Sequence, residues 1–230
     1  MKSFKWVSLF AVLSCVTASL SWAESMKTLT RRSGDAAQIL VAAVIGPQAQ
    51  ISSALIEKSQ CIATVSNLIT GGIIIGGRHG NGLVSCRLSG GGWSNPSFMN
   101  LSGGSFGLQL GLDSTDLVFL FFDQDSAEQF STNYWTMSGV AQVTPGPLGK
   151  NAKVDNYAHL KGSILGYSRA KGLFIGLTLN GTSFNVDHGA NKAIYGKRVT
   201  ARDILFNSAS KAPSPANVYL EALEEVDRSN

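Results

Sequence analysis

Residues 167–181 read Tyr-Ser-Arg-Ala-Lys-Gly-Leu-Phe-Ile-Gly-Leu-Thr-Leu-Asn-Gly, a basic turn joined to a glycine-punctuated apolar strand. The stretch carries charge and no catalytic group. A comparable unit lies earlier, where Gly72-Ile-Ile-Ile-Gly76 runs through Arg78, His79, Gly80 and Gly82 into Leu83-Val84-Ser85-Cys86-Arg87. From Cys61 onward, short runs rich in Val, Ile, Leu and Phe alternate with Gly, Asn and Ser, the signature of an antiparallel sheet. Strands are expected at 61–66, 72–78, 82–88, 105–111, 116–123, 137–143, 159–167, 172–178 and 182–186. His79-Gly-Asn-Gly82 has the composition of a tight turn, because Asn and Gly accept the positive φ a hairpin needs. Such a turn would set Arg78 and Arg87 on paired strands. Glycines four residues apart, at Gly72/Gly76, Gly107/Gly111 and Gly172/Gly176, leave bare spots where a sheet bends sharply. The likeness of Gly-Ile-Ile-Ile-Gly to Gly-Leu-Phe-Ile-Gly hints at two related halves.

Helical periodicity flanks this region. Ile39, Leu40, Ala43 and Val44 predict a helix over 36–45, capped by Ser33 or Asp35 and stopped at Gly46-Pro47. No charge occurs between Asp35 and Glu57, so this helix is either buried on most sides or rests against lipid, and ten residues cannot span a bilayer. Shorter helices are expected at 49–58 and near 126–130. At the other end, 215–227 places Val218, Tyr219, Ala222, Leu223 and Val226 on one stripe, with Glu221, Glu224 and Glu225 facing away. The fold class is α+β: a mainly antiparallel, strongly curved or barrel-like β-sheet, with an N-terminal helix and a C-terminal amphipathic helix packed on it.

The first residues have the layout of an export signal: Lys2 and Lys5, an apolar stretch from Trp6 to Leu20, then Ser21-Trp22-Ala23 as a small-x-small cleavage site. Cleavage after Ala23 is the preferred reading. The alternative is a lipoprotein acylated at Cys15, preceded by Val12-Leu13-Ser14. An uncleaved anchor fits worst, because Thr17, Ser19 and Ser21 interrupt the run. The chain then divides into a signal peptide (1–23), a polar mobile leader (24–34), one folded domain (35–206) and a linker with the C-terminal helix (207–230). The expected location is the periplasm or the cell envelope. The formal charge of +4 falls to +2 once Lys2 and Lys5 are removed, so the basic character is local, and no nucleic-acid partner is expected.

Catalytic patterns are thin. There is no HExxH helix for His79, His159 or His188 to serve, and Ser163 in Gly162-Ser-Ile-Leu-Gly166 misses the nucleophile elbow by one residue. No glycine-rich loop precedes Lys-Ser or Lys-Thr, and Asp123-Gln-Asp125 lacks the later ligands of a calcium loop. No enzyme activity, cofactor or metal is expected. The basic residues are more suggestive: Lys150 and Lys153 after the turn at 145–149, Lys161, Arg169 and Lys171, then Lys197, Arg198 and Arg202. Each such residue near an anionic bilayer contributes about 1 kcal/mol, so four give about 4 kcal/mol and only millimolar affinity. An apolar partner is therefore needed. It is either the uncharged helix at 36–45 or the group Trp93, Phe98, Tyr134 and Trp135, of which Trp93 is assigned to the core.

With Gly90-Gly-Gly-Trp93-Ser-Asn-Pro96, Gly103-Gly-Ser-Phe-Gly-Leu-Gln-Leu-Gly111, the strand Asp116–Phe122, Gly146-Pro-Leu-Gly149, and Tyr195-Gly196 with Val199-Thr200 ahead of Ile204-Leu205, these blocks resemble the SYLF family of lipid-binding domains over roughly 35–206. The resemblance implies recognition of anionic lipids, which are phosphoinositides for eukaryotic members; some fungal members also bind actin. For an exported chain, only recognition of acidic phospholipid heads carries over. Arg78, Arg169 and Lys171 fall within the matching blocks and are the expected lipid contacts, joined by Lys150, Lys197, Arg198, Tyr134 and Trp135. The alternative is a structural or protein-interaction module of the envelope. Family likeness also draws attention to Cys61 and Cys86, since bacterial relatives resemble this chain in carrying cysteines in these two strands. A bridge in an oxidising compartment would close a loop of about 25 residues and contribute about 3 kcal/mol. Two separate buried thiols remain the other reading, and the spacing fits no CxxC pattern.

Overall fold

Along β1 (Cys61–Gly72), Cys61, Ala63 and Val65 join one buried cluster while Ile62 joins another, the period of two that a strand imposes. The same alternation runs through β2 (Ile75–Cys86), β3 (Ser97–Phe106) and β4 (Gln109–Phe121), so the central strands are apolar on both faces. The structure is a computed structural model. It describes residues 10–72, 75–106, 109–123, 128–130, 134–137, 143–149, 164–170, 173–176, 182–196, 199–207 and 212–229. Shorter strands complete one sheet: β5 (Tyr134–Met137), β6 (Val143–Pro145), β7 (Ile164–Ala170), β8 (Leu173–Gly176) and β9 (Thr182–Val186). Its order is β5-β9-β3-β2-β1-β4-β7-β6, with β8 paired to β7, and every pairing is antiparallel except β6 with β7.

This sheet is strongly curved. The rings of Phe119 on β4 and Phe184 on β9 meet edge to face with centroids 5.2 Å apart. Four strand steps separate them, about 19 Å in a flat sheet, so the sheet curls until β9 faces β4 across its concave side. The chain itself demands a bend at the far end. Phe106 pairs with Ile75 and Gln109 with Gly72, on opposite sides of the β1/β2 hairpin. Three virtual bonds reach at most about 11 Å, less than the roughly 14 Å across three flat strand spacings. The described pairings form an open path that no pairing closes among the described residues.

The helices are α1 (Phe10–Val44), α2 (Ser53–Lys58), α3 (His188–Tyr195), α4 (Ala201–Phe206) and α5 (Ser214–Arg228). All but α4 pack on the convex face, whereas Leu205 and Phe206 of α4 join the cluster inside the curl. Ile39, Leu40, Ala43 and Val44 of α1, with Tyr219, Leu223 and Val226 of α5, pack on Ile62, Leu83, Phe98, Val118, Leu120 and Tyr167. The Thr64 and Tyr219 hydroxyls share a buried hydrogen bond of 2.9 Å that fixes α5 against β1. Inside the curl, Phe119, Phe121, Phe130 and Phe184 stack edge to face over Val84 and Met99. Cys61 and Cys86, opposed in register at one end of β1 and β2, are bonded to each other at 2.00 Å.

Three expectations change. Residues 24–34 are no mobile leader: α1 runs through them, with Leu29, Arg32 and Ser33 buried. The stripe of Ala36 and Leu40 extends backward through them at helical spacing, so Ser33 and Asp35 lie inside the helix and do not cap it. His79-Gly-Asn-Gly82 is no turn either, since β2 passes straight through it; Arg78 lies within β2, and Arg87 follows its last residue, Cys86. Its glycines serve close approach: a Cβ at Gly82 would stand 2.5 Å from the Thr64 carbonyl oxygen, and one at Gly80 would stand 2.7 Å from Val65 Cγ1. Opposite them β1 bulges between Ser66 and Ile69, with Asn67 at φ 52°. Finally, the strand expected at 105–111 is instead the end of β3 and the start of β4.

Candidate functional site

β7 carries Leu165 and Tyr167 into the helix-covered cluster, and Arg169, two residues on, emerges on the same face. It was expected in a turn. Instead it is a strand residue opposite Asp116 in register, and its Nε and Nη2 donate to Asp116 Oδ2 at 3.0 and 2.6 Å. The other Asp116 oxygen accepts from the Asn67 amide at 3.1 Å, which anchors the β1 bulge. Asp35, Gln38 and Ile39 of α1 lean over this pair and enclose a cavity of about 190 Å³ with Ser66 and Asn67. Arg169 is thus neutralised within the fold, and its cavity presents carboxylates as much as guanidinium.

Arg78 is placed differently. It sits on β2 opposite Thr70 and Gly103, six residues before Val84 with no register shift between β2 and β3, and so points to the concave side. The two predicted contacts therefore lie on opposite faces of the sheet. Arg78 is half-buried and makes no hydrogen bond or ion pair among the described residues, its Nε included. Lys150, Lys171, Lys197 and Arg198 lie outside the described residues. Tyr134 and Trp135 form β5 at one end of the sheet, opposite Asn185 and Phe184.

Two other arginines are structural. Arg32, on α1, donates to Asp187 Oδ2 at 2.7 Å and to the Met99 carbonyl at 3.0 Å, and its side chain is 8% exposed. Burial pushes the Asp187 carboxyl up, but the Ala190 amide and Arg32 outweigh it and hold the group below the usual range. Arg87 clamps Asp227 of α5 with two bonds of 2.9 and 2.5 Å, donates to the Ile56 carbonyl and lies 4.2 Å from the Trp93 ring centroid. Its hydrogen bonds lower the Asp227 pKa against partial burial. Trp93 is a core residue, 6% exposed. Sequence reading missed Arg32 because it treated a charge as a sign of solvent; its spacing three after Leu29 and four before Ala36 was the available signal.

Of the apolar partners considered for a membrane, the 36–45 helix is occupied by the core, since Ala36, Ile39, Leu40 and Ala43 are all buried against the sheet or α5. No helix among the described residues is long and apolar enough to cross a membrane. A second cavity of about 240 Å³ lies beside the disulfide, lined by Arg87, Glu128, Arg202 and Phe206. His79 is exposed on β2 and His188 is exposed at the first residue of α3, while His159 lies outside the described residues.

A family profile described as Ysc84, Las17-binding protein actin regulator, matches residues 102–226. LAS seventeen-binding protein 3 of Saccharomyces cerevisiae is 32% identical over 200 residues, 84% of this chain and 42% of that protein. Protein YSC84 of the same yeast is 30% identical over 184 residues, 79% of this chain and 39% of its own length. SH3 domain-containing YSC84-like protein 1 of Xenopus laevis is 31% identical over 181 residues, 78% of this chain and 53% of its own. The chain spans about half the length of these curated relatives, or less. No solved structure matches it.

Proposed function

The chain belongs to the Ysc84 family, whose shared unit is the SYLF domain, and from that premise we propose that it is a non-enzymatic module that binds anionic phospholipid surfaces in the cell envelope. The observation that carries this reading is the contrast among its arginines. Arg32, Arg87 and Arg169 are paired with carboxylates, whereas Arg78 keeps its charge without a partner among the described residues. An unpaired guanidinium suits a phosphate, to which it donates bidentate bonds. Lys171, Lys150, Lys197 and Arg198 add charge in the proposal, at about 1 kcal/mol each near an anionic leaflet. Export by a signal cleaved after Ala23 would leave in place every buried residue described in α1, from Leu29 onward, and the Cys61–Cys86 bond suits an oxidising compartment. Acylation at Cys15 is the competing route.

Sedimentation tests it. The chain from Glu24 should pellet with phosphatidylglycerol or cardiolipin vesicles and not with phosphatidylcholine. Pelleting should fade toward about 1 M salt, where the Debye length shrinks to about 3 Å. Absence of salt-sensitive pelleting would remove the reading. A second reading, a protein-binding module, is favoured by the names of the relatives, which describe binding to Las17. It predicts no vesicle response and a discrete cross-linked complex in cells.

A further inference from the structure

The central strands run on past the level where β7 stops pairing with β4. Pairing of β4 with β7 ends at Asp116 and Arg169, yet β4 begins at Gln109, so seven residues extend beyond that level, about 23 Å of strand. With the ends of β1, β2 and β3 they form a four-stranded arm: Leu68–Gly72, Ile75–His79, Ser102–Phe106 and Gln109–Ser114. Past Leu68, Gly80 and Leu101, none of the arm residues whose exposure is described is buried, and Ile69 is 48% exposed. A Cβ at Gly77 or Gly104, register neighbours on this arm, would meet nothing within 4 Å. Among the arm residues whose exposure is described, none beyond Leu68 joins either buried cluster, which leaves the arm's composition to be explained by something outside the fold.

That composition is unusual for a solvated projection. These segments contain Leu68, Ile69, Ile75, Phe106, Leu110 and Leu112, and only two charged residues, Arg78 and Asp113. Register places Ile75 beside Phe106 and Gly72 beside Gln109 at the very end, with Arg78 three residues behind Ile75, about 10 Å along the strand. Ten ångströms is the depth over which amphipathic elements bury themselves at the boundary of headgroups and acyl chains. We infer that the end of this arm, marked by Ile69, Ile75 and Phe106, enters an anionic phospholipid leaflet while Arg78 meets its phosphates. The inference rests on the lipid-binding reading above and specifies which end of the molecule serves it. Charge selects the occupant: a guanidinium with no ion pair among the described residues, set behind an apolar end, matches an anionic leaflet.

An environment-sensitive fluorophore at Ile75→Cys, compared with one at Glu225→Cys on the opposite helical face, reads the outcome directly with phosphatidylglycerol vesicles. A blue shift is expected at position 75 alone. Ile75→Ser with Phe106→Ser should lower vesicle partitioning roughly tenfold or more, as loss of two apolar side chains from the interface implies, and Arg78→Gln about fivefold at low salt. If the wild-type chain does not pellet, the lipid reading fails and takes this inference with it. If it pellets while the fluorophore at 75 stays in water and the serine variants bind as before, the arm is refuted and the lipid reading stands. A shift that appears without vesicles and grows with protein concentration would assign the arm to self-association and overturn the proposal.

Discussion

The helix-covered half of the sheet and the arm beyond it are built from the same strands, yet they use arginine and glycine in opposite ways. In the covered half Arg32, Arg87 and Arg169 are each tied to an aspartate, and Gly82 lies against the neighbouring backbone. On the arm Arg78 has no partner among the described residues and Gly77 faces open space. A buried charge is costly unless it is paired; the half-buried Arg78, with its Nε covered and no partner among the described residues, has its guanidinium available to a ligand. The two regions teach that residue type alone does not mark a site. Pairing does.

The sharpest way to break this comparison is to remove one arginine from each region. Arg32→Ala leaves the Asp187 carboxylate without its guanidinium in a partly buried site, and stability to urea should fall by about 3–5 kcal/mol. Arg78→Ala should stay within about 0.5 kcal/mol of wild type. Equal losses would mean that the arm is part of the core after all. Replacing Cys61 and Cys86 together by Ala should cost about 3 kcal/mol under oxidising conditions and nothing relative to wild type under strong reductant.

Glycine sharpens the same contrast on a smaller scale. Gly82→Ala forces a methyl against the Thr64 carbonyl and should destabilise by about 1–3 kcal/mol. Gly77→Ala meets no neighbour and should be neutral or stabilising by up to about 1 kcal/mol, because it restricts the unfolded chain. Thermal melts of the two variants side by side decide the point. The smallest effect expected is with pH. Asp187 and Asp227 have pKa values lowered in the folded state, so their contribution is fully present above the unfolded value near 3.9 and is lost as pH falls through the lowered folded values. Denaturation followed from about pH 5 down to about pH 2 should show that loss, and Asp187→Asn should flatten it.

Much of this architecture was legible. The C-terminal helix expected at 215–227 spans Ser214–Arg228, because proline at its start and an uninterrupted apolar stripe leave one solution. The curved antiparallel sheet followed from glycine spacing and short apolar runs. What failed did so for a physical reason. His79-Gly-Asn-Gly82 uses the letters of a turn for close approach between strands, and only the partner strand tells the two apart. Arg32 looked solvated because its partner Asp187 lies 155 residues away in sequence. The helix Ala201–Phe206 was overlooked although Thr200 and Asp203 form a capping box readable from their spacing. The site was less legible than the fold: Arg78 and Arg169 looked equivalent in sequence, and only the register that sets Asp116 opposite Arg169 separates them.

The most direct measurement sets Arg78→Glu beside Arg169→Glu, each followed by thermal melting and by sedimentation with phosphatidylglycerol vesicles. Arg78→Glu should melt as wild type and lose roughly tenfold in vesicle binding, whereas Arg169→Glu, facing Asp116, should melt at a lower temperature. An Arg78→Glu chain that pellets as well as wild type while keeping its fold would contradict the account.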